Sequence, residues 1–135
     1  MFNFVWQMDL YGEIILDHFK NPRNKGEVSG AQIVGDDSNP LCGDKVHTCL
    51  KVDAEGKIVD FGFVGDGCAI SVASTSILGE NLRGKSIDEL EKWDNEKLYE
   101  MIAVPISPGR VKCALLGLGC LKKSIKMYRN EKQKG

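Results

Sequence analysis

Lys45-Val46-His47-Thr48-Cys49-Leu50-Lys51-Val52-Asp53, then Ala54-Glu55-Gly56, then Lys57-Ile58-Val59-Asp60-Phe61-Gly62-Phe63-Val64: this stretch decides the fold class. In the first run Val46, Leu50 and Val52 point one way, while Lys45, His47, Cys49 and Lys51 point the other. That alternation predicts a strand buried on one side, with His47 and Cys49 on a solvated or partly covered face. Ala54-Glu55-Gly56 supplies a hairpin loop, and residues 57–64 return as the partner strand. Upstream, residues 31–35 read as a short edge strand, and Asp36-Asp37-Ser38-Asn39-Pro40 as a turn. Downstream, Gly65-Asp66-Gly67 breaks the second strand, with Asp66 in a turn role.

Helices flank this core. Asp9 can cap a first helix over residues 9–20, with Leu10, Ile14, Ile15 and Phe19 turned inward. Asn21-Pro22 stops it. His18, near its end, reads as a structural residue or a partner of the helix dipole. Small residues predict a second helix over 68–82, ended by Gly84. Ser86 and Glu89 form a capping box for a short third helix. Asp94 caps another over 95–102. Ser107 and Pro108 suit the N-cap and first position of a last helix reaching residue 129, and Glu131–Gly135 is expected to fray. The pattern is α+β: a small antiparallel three-stranded sheet, helices packed on one face, and a long C-terminal helix.

The 135 residues suit a single domain spanning 1–135. With a formal charge of −1, the chain lacks the basic surplus that nucleic-acid binding draws on. No run approaches the ~20 apolar residues that a membrane span needs. The opening residues lack the basic start and continuous apolar core of a secretory signal. Five cysteines, an odd number, fit metal binding or thiol chemistry in a reducing cytoplasm better than a disulfide framework.

Three segments carry that chemistry. In Asn39-Pro40-Leu41-Cys42-Gly43-Asp44, Pro40 stiffens the loop, and Gly43 allows a left-handed backbone or close approach to a ligand. A sharp turn there can aim Cys42 and Asp44 at one ion. In Gly65-Asp66-Gly67-Cys68-Ala69-Ile70-Ser71, Cys68 stands at a helix start, where backbone N–H groups favour a thiolate. In Ser107-Pro108-Gly109-Arg110-Val111-Lys112-Cys113, Arg110 and Lys112 bring positive charge beside the third thiol. Three thiolates and a carboxylate make a four-coordinate set for zinc, or for a cluster with one non-cysteine ligand. Cys120, seven residues beyond Cys113 and about 10.5 Å along the helix, is too far to share the ion and is expected to pack.

These motifs resemble the NifU N-terminal-like family, the IscU and SufU scaffold proteins of iron–sulfur cluster assembly. The likeness runs from Leu16-Asp17-His18-Phe19-Lys20-Asn21-Pro22-Arg23-Asn24 through the three cysteine segments. It implies metal ligands Cys42, Asp44, Cys68 and Cys113, with Gly43, Gly67, Arg110 and Lys112 around them. It implies sulfur accepted from a cysteine desulfurase, with Cys113 as persulfide acceptor. A [2Fe–2S] cluster would be held transiently and passed to recipient apo-proteins or carrier proteins.

The alternative implied by the SufU branch is a zinc-dependent persulfide sulfurtransferase. A structural zinc-binding adaptor is the reading of a different class. Lys112 stands where the IscU branch has histidine, and Arg110 is SufU-like. The 44 residues between Cys68 and Cys113 lack the SufU insertion. An Hsp70-type chaperone partners part of the family through an LPPVK signal, for which Ala103-Val104-Pro105-Ile106 is a weak substitute.

Overall fold

The computed structural model describes residues 12–40, 43–102 and 108–134. The expected cap Asp9, with Leu10, lies outside them, as do Cys42, Ser107 and residues 103–106. Helix α1 covers residues 12–20. Strands β1 (Ile33–Asn39), β2 (Asp44–Val52) and β3 (Ile58–Asp66) follow, then helices α2 (Ala69–Glu80), α3 (Ile87–Lys92) and α4 (Asn95–Ile102). A 3-10 turn, Pro108–Arg110, leads into α5 (Val111–Lys134).

The strands form one antiparallel sheet in the order β1-β2-β3. The β2–β3 hairpin is locally encoded. Asp53 Oδ1 accepts the backbone N–H groups of Glu55 and Lys57, both at 2.9 Å. Gly56 takes a positive φ of 83°, which costs glycine little. Ser86 caps α3 by accepting the Glu89 N–H at 3.1 Å. Asp94 accepts the Lys97 N–H at 3.0 Å at the start of α4.

Helices α2 and α5 cover one face of the sheet. Ile33, Val46, Leu50, Phe61 and Phe63 meet Ala73, Leu78, Leu118, Leu121 and Ile125 in the shared core. Burial of such side chains contributes roughly 1.5–3 kcal/mol each. Cys120 belongs to this core, as expected; its Sγ is 3.3 Å from Thr48 Oγ1. Burial, the main influence, pushes its thiol pKa up. The two helices approach closely at Gly117, where a Cβ would stand 2.4 Å from Thr75 Oγ1.

The sheet departs from the sequence reading at one end. Residues 36–39, expected as a turn, extend β1, and Gly65 and Asp66, expected as a break, extend β3. The first residues of β2 pair on both sides: Ser38 with Lys45, Asn39 with Asp44, Val46 with Gly65 and Lys45 with Asp66. Ladder hydrogen bonds there override the turn preferences of Asp, Asn and Gly.

Cys49 also departs from its expected partly covered face; it is only 3% exposed. The chain before β1 supplies the cover. Gly26 N–H donates to Phe63 O and Phe63 N–H to Asn24 O, at 2.8 and 3.0 Å. This docks the segment along β3 and lays Gly26 and Val28 over Gly62, the cross-strand neighbour of Cys49. At the other end of the chain α5 continues through the segment expected to fray, since no glycine or proline falls between Gly119 and Gly135.

Helix α1 is pinned to α2 by His18. Its Nδ1 is 2.8 Å from Ser76 Oγ, and Ser76 Oγ also accepts the Arg23 N–H at 2.9 Å. His18 Nδ1 and Ser76 Oγ thus share a hydrogen bond whose direction follows the imidazole tautomer. Burial, and next Arg23, hold the His18 pKa below its ordinary value. Protonation thus favours the unfolded chain. The contribution of neutral His18 is complete above the ordinary histidine pKa and is lost as pH falls through it towards the folded value. Thermal melts should show Tm falling on acidification through this window, with a shallower fall in His18→Gln. Identical slopes would refute this role.

Candidate metal centre

The extension of the sheet places one end of β2 beside the starts of α2 and α5. Gly43, at φ 72°, turns the chain into β2, and its N–H donates to Asn39 O at 2.8 Å. Asp44, the first residue of β2, lands on the covered face and is 2% exposed. Cys68 is the N-cap residue of α2. Its N–H donates to Asp44 Oδ1 at 3.0 Å. Cys113, in the first turn of α5, is 1% exposed.

Ligand atoms of Asp44, Cys68 and Cys113 all lie within 4.8 Å of one another. Zinc bonds of ~2.3 Å to sulfur and ~2.0–2.2 Å to carboxylate oxygen put tetrahedral ligands roughly 3.5–3.8 Å apart. Shifts of about 1 Å would close this group on one ion by the same geometry.

The carboxylate supplies an independent test of fit. Burial is the largest influence on Asp44 and raises its pKa. The Cys68 amide, then the nearby Cys68 and Cys113 thiols and the Ser71 hydroxyl, together hold it below the usual carboxylate value. Yet Oδ2 is buried and, among the described residues, accepts no hydrogen bond of ordinary geometry. A buried acceptor left so is costly, and a cation is a partner that would satisfy it. A thiolate–carboxylate donor set suits zinc or iron.

Gly67 makes room for this carboxylate: a Cβ there would stand 2.5 Å from Asp44 Oδ1 and 2.9 Å from its Cβ. Ser71 donates to Cys68 O at 3.1 Å and stands 3.9 Å from Cys68 Sγ. The sequence reading did not single out Ser71, although its place three residues after Cys68 puts both on one side of the helix start. Arg110 and Lys112 are exposed, so their positive charge is screened by solvent. Cys42 lies outside the described residues.

Cys68 is half-buried, whereas Cys49, Cys113 and Cys120 are buried. Brief iodoacetamide treatment of the metal-free folded chain should therefore modify Cys68 before these three. Peptide mapping that found Cys113 modified first would contradict the geometry.

The match to the NifU-like N-terminal domain model spans residues 10–135. The chain belongs to this family. It is 36% identical over 131 residues to the iron–sulfur cluster assembly enzyme IscU of Drosophila melanogaster, covering 93% of this chain and 82% of that one. It is 37% identical over 137 residues to the zinc-dependent sulfurtransferase SufU of Bacillus subtilis (strain 168), covering 86% and 89%. A crystal structure from Fervidobacterium islandicum AW-1, described as a candidate iron–sulfur cluster assembly scaffold for the SUF system, superposes with a TM-score of 0.70. Its identity is 32%, over 84% of this chain and 94% of that one. The relatives thus include both cluster scaffolds and a zinc-dependent sulfurtransferase. Among the described residues no helix is long and apolar enough to cross a membrane.

Proposed function

We propose that the chain is an iron–sulfur cluster assembly scaffold, accepting sulfur from a cysteine desulfurase and building a [2Fe–2S] cluster on Cys42, Asp44, Cys68 and Cys113. The observation that carries this reading is the buried Asp44 carboxylate, its Oδ2 without a hydrogen-bond partner among the described residues, beside the thiols of Cys68 and Cys113. Cysteines kept as thiols suit a reducing cytoplasm. A site built only to hold zinc normally uses four Cys or His ligands. A carboxylate exchanges more readily than a thiolate, which suits cargo that must leave for a recipient apo-protein or carrier. This argues against a purely structural zinc adaptor.

Cys113 is the proposed persulfide acceptor. Its thiolate attacks the terminal sulfur of the desulfurase persulfide. The new S–S bond forms on Cys113 as the old one breaks, and the desulfurase cysteine leaves as thiolate. No electrons are gained or lost in that transfer. Conversion of the carried sulfur to sulfide requires two electrons from a separate reductant. Because Cys113 is buried, the centre must open for the transfer, and the half-buried Cys68 marks the side from which sulfur arrives.

The test is anaerobic reconstitution with desulfurase, cysteine, a thiol reductant and ferrous iron. The expected product is a visible-absorbing cluster that Cys68→Ser fails to form. No absorbing species, with zinc tightly retained, would overturn the scaffold reading. Arg110 and the likeness to the Bacillus subtilis sulfurtransferase favour a second reading, a zinc-dependent persulfide relay. It requires the zinc-loaded chain to stimulate the desulfurase and to carry one extra sulfur on Cys113 by mass spectrometry.

A further inference from the structure

The opposite face of the sheet carries a second group of ligand-type side chains. His47 projects from the middle of β2, half-buried. Its Nδ1 is 2.8 Å from Asp36 Oδ1 on the neighbouring strand. Its Nε2 is 3.5 Å from Cys49 Sγ and 3.6 Å from Glu27 Oε1. Asp36 and His47 also line an open cleft of about 520 Å³ with Ser38, Lys45, Val64 and Asp66. From this arrangement we propose a second metal site, separate from the Asp44 centre. It takes a borderline-soft divalent cation such as zinc on His47 Nε2, Cys49 Sγ and the Glu27 carboxylate.

Each residue has a distinct part. Asp36 accepts the Nδ1 proton, which leaves Nε2 with a free lone pair; a carboxylate behind a histidine is the usual orienting partner of a zinc ligand. Around a tetrahedral zinc, the N–S and N–O edges measure roughly 3.3–3.5 Å, and the two separations at Nε2 already match them. Among the described residues only the Asp44 group has all three ligand atoms within 4.8 Å, so this site closes when Glu27 turns inward. Its side chain is 76% exposed, so little packing resists that turn. Metal binding exchanges the Cys49 thiol proton for the ion.

Cys49, His47 and Asp36 are also the residue types of a Cys–His–Asp nucleophile. The 3% exposure of Cys49, beneath the segment that carries Val28, favours a small ion over a carbon electrophile. A three-ligand site also leaves one coordination position open towards the cleft.

The test is an anaerobic Co2+ titration of the intact chain, following thiolate-to-cobalt charge-transfer absorption, with Zn2+ back-titration. Cys49→Val and His47→Gln, each checked for an unchanged melt of the metal-free chain, are expected to bind one equivalent fewer than the parent. Asp36→Asn should weaken that equivalent about 10–100-fold. A Cys68→Ser/Cys113→Ser chain should keep a charge-transfer band that adding Cys49→Val removes. Equal stoichiometry and an equal band in parent, Cys49→Val and His47→Gln would overturn the proposal. Loss of binding only in Cys68→Ser/Cys113→Ser would overturn it too, while leaving the Asp44 centre intact. Failure of the Asp44 centre instead appears as a parent stoichiometry unchanged by the Cys68 and Cys113 substitutions.

Discussion

Gly67→Ala is expected to lower zinc affinity at the Asp44 centre about 10–100-fold, the range seen when a group that orients a metal ligand is lost. The added methyl would stand 2.5, 2.7 and 2.9 Å from Oδ1, Cγ and Cβ of Asp44, distances at which something must move. The methyl is rigidly attached, and the carboxylate is enclosed. Asp44 cannot simply withdraw, because its backbone is paired with Asn39 at the sheet end. The Cys68 N–H that holds Oδ1 follows directly after Gly67. The substitution therefore disturbs a ligand and its orienting donor together. Crowding of this kind also costs the metal-free fold about 1–3 kcal/mol. The control is Gly119→Ala, on the exposed side of α5, where a Cβ meets nothing within 4 Å. That change should leave zinc affinity unaltered and raise stability by roughly 0.5–1 kcal/mol. Competition against a chromophoric zinc chelator reads the affinity. Parental affinity in Gly67→Ala would show that the close approach of Gly67 and Asp44 does not matter to the centre.

Phe61→Ala should cost about 3–5 kcal/mol of folding stability, a large share of the ~5–15 kcal/mol typical of a domain. The ring is almost wholly buried and stacks on Phe63 with centroids 6.0 Å apart. It fits under α2 because Gly79 has no side chain; a Cβ there would lie 2.5 Å from Phe61 Cε2. The space left by alanine would not collapse easily. Helix α2 is held at its height over the sheet by its close contact with α5 at Gly117 and Thr75, so a cavity penalty adds to the lost transfer energy. Urea unfolding should show a lower midpoint with an unchanged m-value. Met127→Ala, at an exposed site on α5, should stay within roughly 0.5 kcal/mol of the parent. A Phe61→Ala chain no less stable than Met127→Ala would mean that this ring is not central to the core.

Local signals in the sequence were enough where neighbouring residues do the structural work. Strand β2 alternates, Asp53 and Gly56 close its hairpin, Ser86 and Glu89 start α3, and Asp94 starts α4; each depends on contacts within a few residues. Cys120 was legible as a packing residue because helical rise separates it from Cys113. The types and order of the candidate ligands were legible too, since thiols and a carboxylate placed beside turns and helix starts are metal-binding chemistry whatever the fold.

Tertiary structure decided what depends on distant partners. Asp36 to Asn39 read locally as a turn and became strand because β2 offered hydrogen bonds along that whole length. Cys49 read as partly covered and became buried because residues 24–28 dock over Gly62. The closeness of Asp44, Cys68 and Cys113 depends on three segments meeting at one sheet end. Side-chain spacing along a chain measures only local geometry; distances between separate segments are set by the packing of α2 and α5 on the sheet.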